Sequence, residues 1–233
     1  MTKTVRSEKR FPSIAAALLA AFMIIGCAPD LRTQRINLIC EGTDKAALQE
    51  LITSGEHDKR VGRGDESVAD SWWYPIHIAA FANNPVALQV MLEANVDPNI
   101  QDVDGATPLM RLFSGGREGD TQASIELLVK AGADVNIADR TQSTPLHMAA
   151  NYDLHECLKA LVEAGGHVNA KDRFGNTSLH LAASAIGGVA PKTFEVLIEL
   201  GADRTATNDA GKTPLELCRE NKCGCEDLLQ DEQ

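Results

Sequence analysis

The sequence Thr144-Pro145-Leu146-His147 is one of five versions of a four-residue phrase that recurs along this chain. The other four read Tyr74-Pro75-Ile76-His77, Thr107-Pro108-Leu109-Met110, Thr177-Ser178-Leu179-His180 and Thr213-Pro214-Leu215-Glu216. The second residues of successive phrases are 33, 37, 33 and 36 positions apart. Such a period indicates an array of stacked helical repeats, in which each unit packs mainly on its neighbours.

A second regularity lies in the segments that connect the units. Each unit ends at a residue suited to the left-handed backbone conformation, namely Asn95, Gly132, Gly165 or Gly201. Each of these residues is 13 positions before the next Pro or Ser of the phrase, as a connector of fixed geometry requires. Turn glycines in three connectors, Gly105, Gly175 and Gly211, predict tight hairpins. The extra residues of the longer spacings fall at 114–120 and 186–191, between paired helices, where loops accommodate insertions.

The Thr-Pro-Leu-His core with a period near 33 residues resembles the ankyrin repeat. This resemblance implies an all-α solenoid of about six units, joined by β-hairpin loops, over residues 33–231. The first unit is degenerate and the last is a cap from Lys212 to Gln230. The resemblance also implies a protein-binding module without a cofactor, and it leaves no room for a separate catalytic domain.

The histidines of the phrase invite a metal or catalytic interpretation. His77, His147 and His180 occupy one repeat-equivalent position. In ankyrin repeats this imidazole bonds the neighbouring connector, so the resemblance implies a structural role. We therefore predict no metal site and no catalytic residues.

The amino terminus has the pattern of an export signal. Four basic residues precede the apolar run 14–25, which is followed by Gly26 and Cys27. Ile24-Ile25-Gly26-Cys27 resembles the bacterial lipobox, which implies removal of residues 1–26, acylation of Cys27 and a tether at 27–32. Ala28, where an aspartate would imply inner-membrane retention, favours the outer membrane facing the periplasm. A plain secretory signal and an uncleaved anchor are the alternatives.

The charge of the chain limits the classes of ligand. The formal net charge is −11, and the first 26 residues carry four bases and one acid, so the charge without them is −14. Phosphate binding requires a basic patch, so this acidity argues against nucleic acid and against membrane contact other than through the lipid anchor. It favours a basic protein partner, such as a toxin or an enzyme.

The cysteines divide into three groups. Cys27 is assigned to lipid, and Cys40 and Cys157 are expected to remain separate buried thiols. Cys218, Cys223 and Cys225 share the terminal cap, where a disulfide between Cys218 and Cys225, or Cys223 in its place, is geometrically feasible. Free thiols and redox chemistry are the alternatives.

The resemblance also indicates where a partner would bind. In ankyrin arrays the hairpin tips and the ends of the first helices form a concave surface. Mapped onto this chain, that surface comprises Trp73, Asp104, Arg140, Asn151, Tyr152, Arg173, Phe174, Asn176 and Asp209. Aromatic and arginine side chains are frequent interface anchors.

Three functional hypotheses follow. The favoured one is a tethered periplasmic interaction module, specifically an immunity protein that neutralises a periplasm-active toxin. A second is a protective or chaperone-like partner of a resident periplasmic enzyme. The third, a thiol-redox helper that uses the carboxy-terminal cysteines, is opposed by the lack of a catalytic domain.

Overall fold

A computed structural model describes residues 31–62, 72–115, 121–184 and 191–221. In chain order its α-helices are α1 Leu31–Glu41, α2 Lys45–Thr53, α3 Pro75–Phe81, α4 Pro85–Glu93, α5 Pro108–Ser114, α6 Thr121–Lys130, α7 Pro145–Asn151, α8 His155–Glu163, α9 Ser178–Ala183, α10 Pro191–Glu199 and α11 Pro214–Asn221. A 3₁₀ turn at Glu56–Asp58 and the short strands β1 Val61–Gly62 and β2 Trp72–Trp73 separate α2 from α3. The predicted signal segment 1–26, Cys27 and the cap beyond residue 221 lie outside the described residues. Helix α1 begins two positions before the predicted start of the repeat domain.

The helices pair in sequence order and the pairs stack. Units 1 to 5 are α1–α2, α3–α4, α5–α6, α7–α8 and α9–α10, and α11 is the first helix of unit 6. Each first helix contacts the first helix of the next unit, and each second helix contacts the next second helix. This is the all-α ankyrin solenoid that the sequence predicts.

The recurring phrase begins the first helix of units 2 to 6. Proline at the first helical position, as in Pro75, costs no hydrogen bond because that N–H has no partner within the helix. Where the fourth residue is histidine, its Nδ1 accepts the N–H of the capping residue, as His147 does from Thr144 at 3.2 Å. In α11, Glu216 replaces the histidine and accepts from the N–H of Thr213 at 2.8 Å. Helix starts are thus encoded within the phrase.

The residues predicted to end the units adopt the left-handed conformation. Asn95, Gly132, Gly165 and Gly201 have φ values of 61°, 93°, 96° and 87°. The predicted turn glycines Gly105, Gly175 and Gly211 also have positive φ values, of 79°, 71° and 72°. Both sequence predictions are confirmed.

The connectors fold back as tight turns that are joined from unit to unit. In each turn an aspartate or asparagine accepts two backbone N–H groups; Asp172 Oδ1, for example, accepts from Phe174 at 2.8 Å and Asn176 at 2.9 Å. Asp102, Asp139 and Asn208 hold the other three turns in the same way. The longer first connector differs, because it contains the antiparallel pair β1–β2 with Val61 opposite Trp73.

A continuous apolar core runs through the stack. Leu88, Leu128, Leu158 and Leu197 of the second helices are fully buried, and small residues such as Ala149 let the first helices approach closely. Among the described helices, none has both the length and the apolar character needed to cross a membrane.

Candidate protein-binding face

The connector tips form one fixed row along the solenoid. The N–H of Arg140 donates to the carbonyl of Asp104, that of Arg173 donates to Thr141, and that of Asp209 donates to Phe174, each at 2.9 Å. Four successive connectors are therefore joined by backbone hydrogen bonds. Side chains on this row keep a defined spacing before any partner binds, which lowers the entropic cost of binding.

The structure brings together five of the nine predicted binding residues on this row. Asp104, Arg140, Arg173, Phe174 and Asp209 are all exposed tip residues. Phe174 is 54% exposed, unusually for a phenylalanine, and the guanidinium of Arg173 lies 4.5 Å from its ring centroid. An exposed aromatic ring stacked with a cation presents both kinds of interface anchor at one point.

Three further predicted residues are half-buried. Asn151 and Tyr152 lie at the end of α7, and Asn176 lies at the base of a connector. The Asn176 side chain accepts a hydrogen bond from Asn208 at 2.8 Å and donates one to Asp172 at 3.3 Å. Asn176 therefore supports the contact between units and has little freedom to bind a partner.

Trp73 was wrongly placed on the binding face. Its side chain is 3% exposed, its ring centroid lies 5.2 Å from that of Phe81, and the Arg111 guanidinium lies 4.7 Å from its ring. The indole fills the space between the first helices of units 2 and 3. Trp73 is thus a packing residue, because burying its large apolar indole stabilises the fold more than leaving it in solvent at a tip would.

The ion-pair cluster around Arg111 was missed by the sequence analysis. Arg111 lies 2.6 Å from Asp102 Oδ2 and 2.5 Å from Asp104 Oδ2, and the Asp102 side chain is fully buried. Arg111 thereby fixes the carboxylate of Asp104 at its tip. A signal was available: the repeat-equivalent residues Ile78, Met148, Leu181 and Leu217 are all apolar.

A pocket opens between the first helices of units 3 and 4. It has a volume of about 260 Å³ and lies between Met110, Met148 and Ala106 on its apolar side and Asp104, Asp139 and Arg140 at its rim. The predicted tip residues Asp104 and Arg140 therefore flank a concavity that the sequence analysis did not foresee. We call it the Met110–Met148 pocket.

The three histidines of the phrase are structural, as predicted. The Nε2 atoms of His77, His147 and His180 bond the carbonyls of Ala106, Asn176 and Lys212 at 3.0, 3.1 and 3.0 Å. Because Nδ1 accepts a backbone N–H in each case, Nε2 carries the proton and the ring is neutral. Burial lowers the pKa of all three rings, that of His77 to about 4.

Two cysteines of the described residues are buried free thiols, and a third is in a disulfide. Cys40 and Cys157 are free, buried and in different units, as predicted, and burial raises the pKa of both thiols. Cys218 is fully buried and disulfide-bonded. Cys223 and Cys225 lie outside the described residues, so the pairing of Cys218 with Cys225 or Cys223 stays a prediction.

Comparisons with known proteins agree with this geometry. A model of three ankyrin repeats matches residues 112–208, and a single ankyrin repeat matches residues 71–103. Protein PhlB of Serratia liquefaciens is 30% identical over 105 residues, which cover 45% of this chain and 41% of PhlB. The E3 ubiquitin-protein ligase KEG of Arabidopsis thaliana is 34% identical over 76 residues, which cover 33% of this chain and 4% of KEG.

The matches are partial for both relatives, since the chain spans less than half the length of PhlB and a small fraction of KEG. A ligase activity is therefore not carried over from KEG. The two family matches lie on the stacked units and tips described above. The chain belongs to the ankyrin-repeat family.

Proposed function

We propose that this chain is a protein-binding module whose ligand lies along the concave face formed by the connector tips and first helices. Ankyrin-repeat proteins are generally interaction modules. The observation that carries the proposal for this face is the exposed Phe174 ring, stacked on Arg173 and fixed in a hydrogen-bonded row of tips. Such an anchor is ordered before binding, so it loses little conformational freedom in a complex.

The chemistry of the described residues supports binding over catalysis. His77, His147 and His180 use both ring nitrogens in structural hydrogen bonds, which leaves none for proton transfer or metal ligation. The buried thiols of Cys40 and Cys157 have raised pKa values, and a protonated buried thiol is a poor nucleophile. A thiol-redox function thus gains no support from the described cysteines.

We further propose that the protein acts in the bacterial cell envelope, tethered by acylated Cys27, and that its ligand is a basic toxin active in the periplasm. The lipobox-like sequence before Cys27 and the net charge of −11 support this proposal. Complementary charge accelerates encounter with a basic protein. Protection of a resident periplasmic enzyme is the alternative with the same location and the same binding face.

The test is capture of a partner by the tagged protein from periplasmic extracts of its own cells and of competing strains. Replacing Arg173 and Phe174 together by alanine should weaken the complex by more than about 2 kcal/mol, because both side chains act as anchors. Circular dichroism and the melting temperature should change little, since both side chains are exposed at a tip.

A matched control is Lys159→Ala combined with Gln122→Ala on the second helices α8 and α6. It also removes one positive charge and one neutral side chain from exposed positions. This control should bind the partner as the parent does. Equal binding by the Arg173/Phe174 variant and the parent would refute the assignment of the face.

Immunity and enzyme protection differ in phenotype. If the captured partner is a toxin, cells that lack this gene should die when the toxin is directed to their periplasm, and the Arg173/Phe174 variant should fail to rescue them. Survival of such cells together with reduced stability of a captured enzyme would favour protection.

A further inference from the structure

The Met110–Met148 pocket lies between units 3 and 4, which lack the two side chains that fill the equivalent space between units 2 and 3. Between units 2 and 3, the Arg111 guanidinium packs on the Trp73 indole and pairs with the carboxylate of Asp102. One unit further along, the equivalent residues are Ala106, Met148 and Asp139. Asp139 keeps the turn aspartate, whereas Ala106 has a methyl group in place of the indole and Met148 has a thioether in place of the guanidinium.

This replacement leaves one oxygen of the Asp139 carboxylate without a partner in the described part of the chain. Asp139 Oδ1 accepts from the N–H groups of Thr141 and Ser143 at 2.7 and 3.0 Å, as the turn requires. Among the described residues, Asp139 Oδ2 has no hydrogen bond or ion pair, although Asp102 Oδ2 binds Arg111 and Asp172 Oδ2 binds Asn176. Asp139 is half-buried and lines the pocket.

The walls of the pocket suit a long aliphatic stem. Met110, Met148 and Ala106 form its apolar side; Met110 is fully buried, so half-buried Met148 is the methionine that an inserted chain would contact, and methionine adapts its shape to such a chain. At about 260 Å³ the pocket is smaller than typical sites for drug-sized ligands and is of the scale of one side chain. Asp104, Asp139, Arg111 and Arg140 are the charged residues that line it, and Arg111 is already paired with Asp102 and Asp104.

We propose that the Met110–Met148 pocket is the specificity subsite of the concave face and that it takes an arginine side chain of the protein ligand. The stem of that arginine lies against Met148, and its guanidinium pairs with Asp139 Oδ2. The ligand thereby reproduces in trans the pairing of Arg111 with Asp102 in the preceding unit. This inference rests on the proposed concave binding face and names the chemistry of its ligand.

The test uses defined peptides and the full chain with ¹³C-labelled methionine methyl groups. The probes are acetyl-Ala-Arg-Ala-amide and the same peptide with citrulline, which keeps the shape of arginine without its charge. The arginine peptide should shift the signal of the half-buried Met148 methyl group in a saturable way. Met91, buried in α4, is an internal reference that should not move. The citrulline peptide should bind at least about five-fold more weakly, the factor for loss of a charge-assisted hydrogen bond.

Two substitutions, one of Asp139 and one of Asp172 in the next turn, distinguish loss of the negative charge at the pocket from a general effect on the fold. Asp139→Asn should abolish the arginine response and leave stability unchanged, since Asn208 holds the equivalent turn with Oδ1 accepting from Ala210 and Lys212. Asp172→Asn removes the same charge one unit away and should keep the response. Met148→Arg should also abolish it, because an internal arginine would occupy the pocket as Arg111 does in unit 3.

The peptide titration tests the arginine subsite separately from the partner capture, which tests the proposed function. Equal methyl shifts with arginine and citrulline peptides, absence of saturable shifts, or an unchanged response in Asp139→Asn would each overturn the arginine subsite. A captured partner that binds Asp139→Asn as tightly as the parent would overturn it too, while leaving the concave face intact. Failure to capture any partner would count against the proposed function and not against the peptide result.

Discussion

At the residue scale, the repeated histidine has two tasks that require the neutral ring. In His77, Nδ1 accepts the N–H of Tyr74 at 3.3 Å, and Nε2 donates to the carbonyl of Ala106 in the next connector at 3.0 Å. A proton on Nδ1 would abolish the first bond and place a charge in the core. Burial accordingly lowers the pKa of His77 to about 4.

This shift predicts that acid weakens the fold. The pKa of a histidine is near 6.5 in the unfolded chain and about 4 for folded His77. Between these two pH values the unfolded chain binds a proton that the folded chain does not, which favours unfolding. The stabilisation is complete above the unfolded pKa and is lost as the pH falls toward the folded pKa. For His77 alone we expect the free energy of unfolding to fall by roughly 2 kcal/mol between pH 7 and pH 5. Urea unfolding at several pH values measures it.

The control for this prediction is His77→Gln, which keeps an acceptor and a donor but does not titrate in this range. Its free energy of unfolding should depend less steeply on pH than that of the parent. Identical slopes would show that His77 is not responsible. An NMR titration of the ring gives the folded pKa directly.

A second residue-scale prediction concerns Arg111. Arg111→Met, which copies Met148, leaves the fully buried Asp102 carboxylate without its cation and removes the stacking on Trp73. We expect a loss of about 3 kcal/mol in the free energy of unfolding, measured by urea denaturation. Adding Asp102→Asn should recover at least half of that loss, because Asn208 shows that asparagine holds this turn. A double variant as unstable as the single one would contradict the ion-pair explanation.

At the element scale, each connector links two consecutive units, and its tip presents the candidate binding residues. Asn99, Asn136 and Asn169 donate from their side-chain amides to Gly132, Gly165 and Gly201 at 2.9, 3.0 and 3.2 Å. The tips add a backbone bond from connector to connector. Connector geometry therefore determines both the stacking of the helices and the spacing of the binding residues.

Gly175 tests this coupling. It has φ of 71°, and a Cβ there would lie 2.8 Å from the backbone nitrogen of Asp209 in the next connector. Gly175→Ala should therefore cost about 2–3 kcal/mol, from the left-handed backbone and from displacement of the neighbouring tip. Gly132→Ala is the control, since Gly132 has φ of 93° but open space around it, and it should cost only about 1 kcal/mol. Thermal melts of both variants measure the difference, and equal losses would argue against a tip-to-tip constraint.

At the scale of the whole molecule, the solenoid is an elongated stack with contacts between adjacent units and one surface of joined tips. If Cys27 is acylated, only the residues up to Leu31 separate the lipid from α1, a reach of at most about 14 Å. The unit 1 end would then lie near the membrane, and the concave face of units 3 to 6 would extend away from it.

The tether itself is a prediction at this scale. Cys27→Ser should block acylation, because serine has no thiol to modify, and should release the protein from detergent-extracted outer membranes. Immunoblotting of fractionated cells measures this. A variant that fractionates like the parent would refute the lipid anchor, and a chain processed at another site would support a plain secretory signal.

The sequence by itself determined the repeat. Three features were predictable because they depend on local backbone preference or on a contact repeated between adjacent units: the period of the phrase, the 13-residue connectors, and the left-handed Asn95, Gly132, Gly165 and Gly201. The structural role of the histidines was predictable through the resemblance to ankyrin repeats. The exposed tip positions Arg173 and Phe174 followed from the same register. In a solenoid such nearest-neighbour rules specify most of the fold.

Only the tertiary structure decided what differs from one unit to the next. Whether Trp73 is an anchor or a core residue, and whether Arg111 reaches Asp102, depend on the side chains that the adjacent unit places opposite them. The Met110–Met148 pocket likewise arises from the combined volumes of Ala106 and Met148 in facing units, and no single repeat contains that information. Packing in three dimensions converts these few departures from the repeat into the shape and charge of the candidate site.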